Sequence, residues 1–230
     1  MNLPRVMIGM PVGSGSVPWL TAASLISTTR ACDREKLPVQ LCTPVGSSVV
    51  TWARSFIVGQ FLKSDATHLF WIDSDMVWAP ADFFRLVGFG AAHDIIGAAY
   101  MLKKEPEQYV VNFPGKDNQY EVNGLGNIRV TSLPIGFTIV QRRVIETIAE
   151  TKPTLIDKLG GSEYPDFFRL GRQPNGNALG EDIAFFEDAA ELGFNAWLDP
   201  SIKLGHVGMK VYSGDVIASL GLESYVPQEK

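Results

Sequence analysis

The chain has 230 residues, 46% of them hydrophobic and 20% charged, which is enough apolar material to bury one sizeable core. Its formal net charge of -5 argues against a general polyanion binder and leaves room only for a local basic patch. Its 2 cysteines, Cys32 and Cys42, are too few for a disulfide framework and too isolated for a zinc knuckle, and read as free thiols. The start, MNLPRVMIGMPV, has no signal-peptide h-region, and no apolar run reaches the ~18 residues of a membrane span. A cytoplasmic protein with one domain over residues 1–230 is expected.

Residues 5–11, RVMIGMP, form an apolar run that ends in GSGSVP, which reads as a strand entering a loop. Pro18 suits the first turn of a helix through WLTAASLISTTRA, and VQLCT at 39–43 closes this strand, helix, strand unit. In SSVVTWARSFIVGQFLKS, residues Val49, Trp52, Ala53, Phe56, Ile57 and Phe61 recur at helical spacing. They predict an amphipathic helix with Ser47 or Ser48 as its N-cap. THLFWIDSD does not alternate, as expected of a strand buried on both faces of a parallel sheet. A helix from Pro80 through ADFFRLVGFGA and a buried strand DIIGAAY follow. The alternation predicts an α/β domain with a mainly parallel central sheet, flanking helices and right-handed crossovers.

After residue 100 the pattern changes. QYVVNF and NQYEVNGLGNIRV, with an Asn-Gly turn signal, predict short strands and a small antiparallel hairpin region. PIGFTIVQ reads as a further core strand, with a helix from about Arg142. Residues 159–180 are rich in Gly, Pro and Asn and read as a mobile loop. A helix from Glu181 to Leu192 closed by Gly193 comes next, then strands NAWLD and IKLGH.

The chemistry concentrates where apolar strands end. Asp73 and Asp75 leave the buried strand together, at the edge where open α/β sheets bind ligands, and two hard oxygen donors suit Mg²⁺ or Mn²⁺. The alternative is an ordinary strand-end turn that caps the next helix. His206 ends IKLGH beside Gly205 and Gly208, and an imidazole among carboxylates favours Mn²⁺ over Mg²⁺. Glu181 and Asp182 open a helix, where the dipole stabilises acids without any catalytic role, yet a carboxylate there can also take a proton from an acceptor hydroxyl. Arg54 lies beside the apolar stripe of its helix and can meet phosphate, or can snorkel at the rim of the core. Gly13-x-Gly15 is not a dinucleotide fingerprint, because Pro18 stands in the third glycine's place. Neither a P-loop nor a Gly-x-Ser-x-Gly elbow occurs, and His68 and His93 read as packing residues.

In order and spacing, MIGMPV, the Arg54 helix, HLFWIDSDM, AAYMLKK, PIGFTIVQRRVIE, GEDIAFFEDAAELGF and IKLGHVG resemble glycosyltransferases of the GT-A fold, over most of the chain. The resemblance implies that Asp73, Asp75 and His206 gather Mn²⁺ (or Mg²⁺) and the diphosphate of a nucleotide-sugar donor, expected to be a UDP-sugar. Pro11, Val12 and Gly13 correspond to the nucleotide-base contact. Arg54, Ser74, Tyr100, Lys103 and Lys104 are the further expected donor contacts. Gly136 and Phe137 resemble the segment beside the acceptor pocket, and Glu181-Asp182 the acidic pair whose Asp182 is the base in an inverting displacement. Residues 1–100 become the nucleotide-binding half and 101–230 the acceptor half. The expected reaction is hexosyl or pentosyl transfer to a hydroxyl.

The chain also looks like compact phage-encoded transferases that modify bases in DNA. For such an acceptor, Lys103, Lys104, Arg169 and Arg172 are the candidate contacts. A nucleotidyltransferase is the first alternative, disfavoured because GMPVGSGSVPW carries no cation. A non-catalytic carbohydrate- or nucleotide-binding module is the second.

Overall fold

The computed structural model describes residues 3–106, 108–115, 120–156, 161–173 and 175–222. Its first half alternates as the sequence predicts: β1 (Val6–Gly9), α1 (Trp19–Glu35), β2 (Val39–Cys42), α2 (Val50–Lys63), β3 (His68–Ile72), β4 (Met76–Val77), α3 (Pro80–Phe89) and β5 (Ile95–Gly97). The second half holds β6 (Ile128–Val130), β7 (Phe137–Gln141), α4 (Arg142–Ala149), β8 (Thr154–Ile156), β9 (Glu163–Pro165), β10 (Gly171–Arg172) and β11 (Ala178–Leu179). It ends with α5 (Glu181–Glu191), β12 (Ala196–Leu198), β13 (Gly205–Val207), β14 (Val211–Ser213) and α6 (Val216–Ser219). Among the described residues, no helix is long and apolar enough to cross a membrane.

The central sheet has seven strands in the order β2-β1-β3-β7-β5-β12-β6. Strands β2, β1, β3, β5 and β12 share one direction, while β7 and β6 run against their neighbours. The sheet is mainly parallel, as expected, although an apolar run such as FTIVQ does not disclose its own direction. Successive residues of one strand feed opposite faces. From β1 and β3, Met7, Leu69 and Trp71 pack with Ile57, Phe61, Val144 and Phe185 on one side. Val6, Ile8, Phe70 and Ile72 pack with Cys32, Phe83 and Leu86 on the other. Covering both faces removes the alternation that a half-exposed strand would show.

Helix α2 departs from the reading of its pattern. Its N-cap is Val49, with no side-chain cap, and the Ser47 hydroxyl instead donates to the Val49 carbonyl at 3.1 Å. Trp52, placed on the apolar stripe, is 56% exposed, whereas Arg54, Ser55 and Gly59 are buried. The cause is the segment read as a mobile loop, whose described part docks on this helix. The Ser55 hydroxyl accepts from the backbone N–H groups of Phe167 and Phe168 at 3.1 and 3.2 Å, and both aromatic rings are buried. A Cβ on Gly59 would lie 2.5 Å from Tyr164 Cβ, so only glycine allows this approach. Residues 157–160 and 174 lie outside the described residues, and so do 118–119 of the expected hairpin region.

His206 does not end a strand of the main sheet, as IKLGH suggested. It is the middle residue of β13, in a small antiparallel sheet of order β14-β13-β4. Two neighbouring pairs, Gly205 with Val77 and His206 with Met76, join β13 to β4. Val207 N–H also donates to the Asp75 carbonyl at 2.8 Å. This short ladder is what carries His206 to the end of β3.

Candidate functional site

Asp73 stands one residue beyond β3, its backbone N–H held by the Gly136 carbonyl at 2.9 Å. Its two carboxylate oxygens face different partners: Oδ1 accepts from Arg54 Nη2 at 2.8 Å, and Oδ2 from the Tyr100 hydroxyl at 3.0 Å. Arg54 is only 3% exposed, and its other amino group donates to Glu181 Oε1 at 3.1 Å and Asp182 Oδ1 at 2.5 Å. One buried guanidinium therefore gathers three carboxylates from β3 and α5. Arg54, expected to meet phosphate, borders the first cavity described below, and both of its amino groups donate to acids of the same chain, two of them in the first turn of α5.

This cluster polarises its members. Burial pushes the Asp182 carboxyl above its ordinary value; Arg54 opposes the rise, and the charges of Asp73 and Glu181 reinforce it. Burial, with the charges of Asp73 and Asp182, pushes Tyr100 well up against the pull of Arg54, so its hydroxyl stays a donor toward Asp73. For Arg54, burial alone would lower the pKa, but Asp73, Asp182 and Glu181 raise it and the guanidinium remains charged.

Gly136 is fixed by this crowding. A Cβ there would sit 2.5 Å from Asp73 Cγ, and it would also press on the Tyr100 hydroxyl. Gly136→Ala should lower unfolding free energy by roughly 1–3 kcal/mol, the usual cost of overpacking, and should displace Asp73. Urea denaturation measures this directly, and an unchanged midpoint would mean that the site yields freely. Phe137, expected beside the acceptor, is instead a core residue: its ring packs on Phe70 and Trp78, with centroids 5.0 and 5.7 Å away. It borders neither cavity described below, because Gly136 marks where β7 enters the sheet.

Asp75 belongs to a second group. His206 Nδ1 lies 2.8 Å from the Met101 carbonyl, to which it can only donate, so in the neutral ring Nε2 carries the lone pair. That Nε2 faces Asp75 Oδ1 at 3.3 Å. Two acceptors so placed need positive charge between them, either a proton or a cation, and an imidazole with a carboxylate suits Mn²⁺. Lys103 Nζ rests on Asp75 Oδ2. Burial alone would raise the Asp75 carboxyl, but His206 and Lys103 outweigh it and hold it below its ordinary value. The donor set therefore fits a divalent ion at Asp75 and His206. Asp73, also expected at the ion, directs its two oxygens at Arg54 and Tyr100. Among the described residues, no three His, Cys, Asp or Glu side chains gather around one point.

Two cavities meet here. The first, about 360 Å³, lies over the carboxyl ends of β1 and β3 and is lined by Pro11, Gly13, Ser47, Ser48, Asp73, Ser74 and Asp75 among others. The second, about 310 Å³, is bordered by Tyr100, Leu102, Asn112, Leu133, Pro134 and Asp182. Glu181 and His206 border both. Val12, between Pro11 and Gly13, is buried and bridged to Val45 and is not part of the lining. The sequence reading treated Ser47 and Ser48 only as caps, although their place between β2 and α2 is a carboxyl-edge loop. It missed Asn112 and Leu133 altogether, for neither carries a local signal. A larger cavity of about 700 Å³ around Leu37, His68 and Phe84 lies at the opposite strand ends, away from the carboxylates.

The basic residues expected to touch DNA divide between ion pairs and open surface. Arg169 donates to Glu187 and Asp188 at 3.2 Å each, and Lys103 is on Asp75, while Lys104 and Arg172 are exposed.

No protein-family profile matches the chain, and no curated protein matches it by sequence. The fold has solved counterparts. A197 from STIV superposes with a TM-score of 0.58 at 20% identity, covering 89% of this chain and 86% of that one. GalNAc-T7, crystallised with UDP, GalNAc and Mn²⁺, superposes with a TM-score of 0.55 at 11% identity, covering 90% of this chain and 44% of that one. This chain thus spans less than half of GalNAc-T7. At such identities the likeness speaks for architecture: a GT-A-like α/β fold with a mainly parallel central sheet and small antiparallel sheets beside it.

Proposed function

We propose that the protein is a metal-dependent glycosyltransferase that moves a sugar from a nucleoside-diphosphate sugar, with UDP the expected nucleotide, to a hydroxyl acceptor. The observation that carries this reading is the pair of cavities sharing Glu181 and His206 as a wall, with Asp75 facing the first and Asp182 the second. Residues 1–100 supply most of the donor side and 101–230 most of the acceptor side. The GT-A-like fold and the UDP and Mn²⁺ present in the GalNAc-T7 crystal support the assignment of donor and ion.

A divalent ion held by Asp75 and His206 would neutralise charge on the departing diphosphate. Pro11, Gly13 and Ser47 shape the nucleotide end of the first cavity. Asp73, held by Arg54 and Tyr100, borders the first cavity beside Asp75 and faces the donor there. Asp182 takes the proton of the acceptor hydroxyl. The acceptor oxygen then bonds to the anomeric carbon as that carbon's bond to phosphate oxygen breaks, and the bonding pair leaves with the nucleoside diphosphate. Leu102, Leu133 and Pro134 give the acceptor side an apolar lining, which suits an acceptor with a nonpolar face around its hydroxyl. A DNA acceptor draws less support, because Arg169 and Lys103 are occupied by the protein's own acids.

A thermal-shift series with UDP, GDP, CDP and ADP, each with Mn²⁺ or EDTA, tests this. One nucleotide should stabilise the fold in Mn²⁺ only, by about 2.7 kcal/mol at a hundredfold excess over Kd. His206→Ala should abolish the metal-dependent part. No shift with any nucleotide would overturn the proposal in favour of a binding module for something else.

A further inference from the structure

Lys103 lies on the strap that leads out of β5, and its ammonium sits on one oxygen of Asp75 while His206 faces the other at 3.3 Å. The lysine stem crosses Gly208, where an added Cβ would come within 3.1 Å of Lys103 Cδ and 3.2 Å of the Tyr212 ring. The groove that seats the stem therefore depends on a glycine two residues beyond His206. Lys103 and Asp75 remain 33% and 30% exposed, so the ammonium is docked without being enclosed. Its position is the one an ion on Asp75 and His206 would contest: a dication and an ammonium on one carboxylate repel each other.

We propose that Lys103 is a resident counter-ion of Asp75 that a divalent ion displaces, and that the released ammonium then becomes a ligand of the donor diphosphate. The proposal rests on the donor and ion reading given above. A flexible, point-like ammonium suits this exchange, since it needs no fixed geometry to meet phosphate. Without nucleotide, the ion must evict the lysine and leave it without a partner. With nucleotide, the diphosphate receives it. Ion and nucleotide binding are thereby coupled through one side chain, and the coupling is reciprocal.

The test is Mn²⁺ binding to the full chain, followed by electron paramagnetic resonance of the free ion, with and without UDP, for native protein, Lys103→Met, Lys103→Arg and Asp75→Asn. Without UDP, Lys103→Met should bind Mn²⁺ about tenfold more tightly than native, within the usual range of coupling, while Lys103→Arg stays near native. UDP should tighten Mn²⁺ binding about tenfold more in the native protein than in Lys103→Met. Equal affinities of native and Lys103→Met, or equal gains from UDP, with binding still lost in Asp75→Asn, would overturn the role of Lys103 and leave the ion site standing. Absence of Mn²⁺ binding to native protein with UDP present, or undiminished binding in Asp75→Asn, would overturn the ion site itself and this proposal with it.

Discussion

Arg54→Met should lower the free energy of unfolding by about 3–5 kcal/mol, the cost of removing one partner from a buried charge cluster. The side chain is 3% exposed and holds Asp73, Glu181 and Asp182 together, so its loss leaves three carboxylates facing one another with little water to relieve them. The penalty should depend on pH in a defined direction. Asp182 already has a folded-state pKa above its ordinary value, and the variant loses the one cation that opposed the rise. A raised acid pKa gives stability that is present at low pH and lost as pH rises through the folded value. The gap between variant and native should therefore narrow as pH falls from 8 to about 5, because protonation of Asp182 relieves its repulsion with Asp73 and Glu181. Urea denaturation at both pH values is the measurement. A variant that unfolds at the native urea concentration at pH 8 would show that the acids do not need the guanidinium.

Asp182→Asn should leave the fold in place and lower kcat by about 10²–10⁴, the range for losing a positioned general base. The amide oxygen can still accept from Arg54 where Oδ1 does, at the cost of the bond that Oδ2 accepts from the Ile135 backbone N–H, but the amide cannot take a proton. KM for the donor should move little, since Asp182 borders the second cavity and not the first. The native rate should climb as pH rises through a value above the ordinary carboxylate range, because burial, with Asp73 and Glu181, raises this group against the pull of Arg54. That limb should vanish in the variant. Native rates of sugar transfer from Asp182→Asn, with the nucleotide sugar chosen from the thermal-shift series, would remove the base from Asp182.

The fold was largely legible because both faces of the sheet are covered. HLFWI and VMIG carry no alternation, and such runs between amphipathic helices leave few options beyond a buried, mainly parallel sheet. The direction of β7 was not legible, since its run of buried residues looks the same either way along the chain. The docking of Phe167 and Phe168 was hidden by the Gly, Pro and Asn around them, which are turn formers whether or not a loop packs down. In the site, Asp73, Asp75, Glu181, Asp182 and His206 could be picked out from strand ends and a helix start. Which acid faced which cation could not. Asp73 and Asp75 are separated by one residue yet diverge, one toward Arg54 and Tyr100, the other toward Lys103 and His206. That division follows from the cross-chain contacts of α2 and of the β13–β4 ladder, and no local window contains them.

The ladder also sets an order of assembly during synthesis. Asp75 leaves the ribosome early, with β3, but His206 arrives only after the seventh strand of the main sheet, β12, has been made. A nascent chain that stops short of β13 holds every strand of that sheet and still lacks the imidazole half of the pair. At the proposed ion site, cation binding therefore requires that translation has passed residue 206, and its appearance on a nascent chain would report that passage.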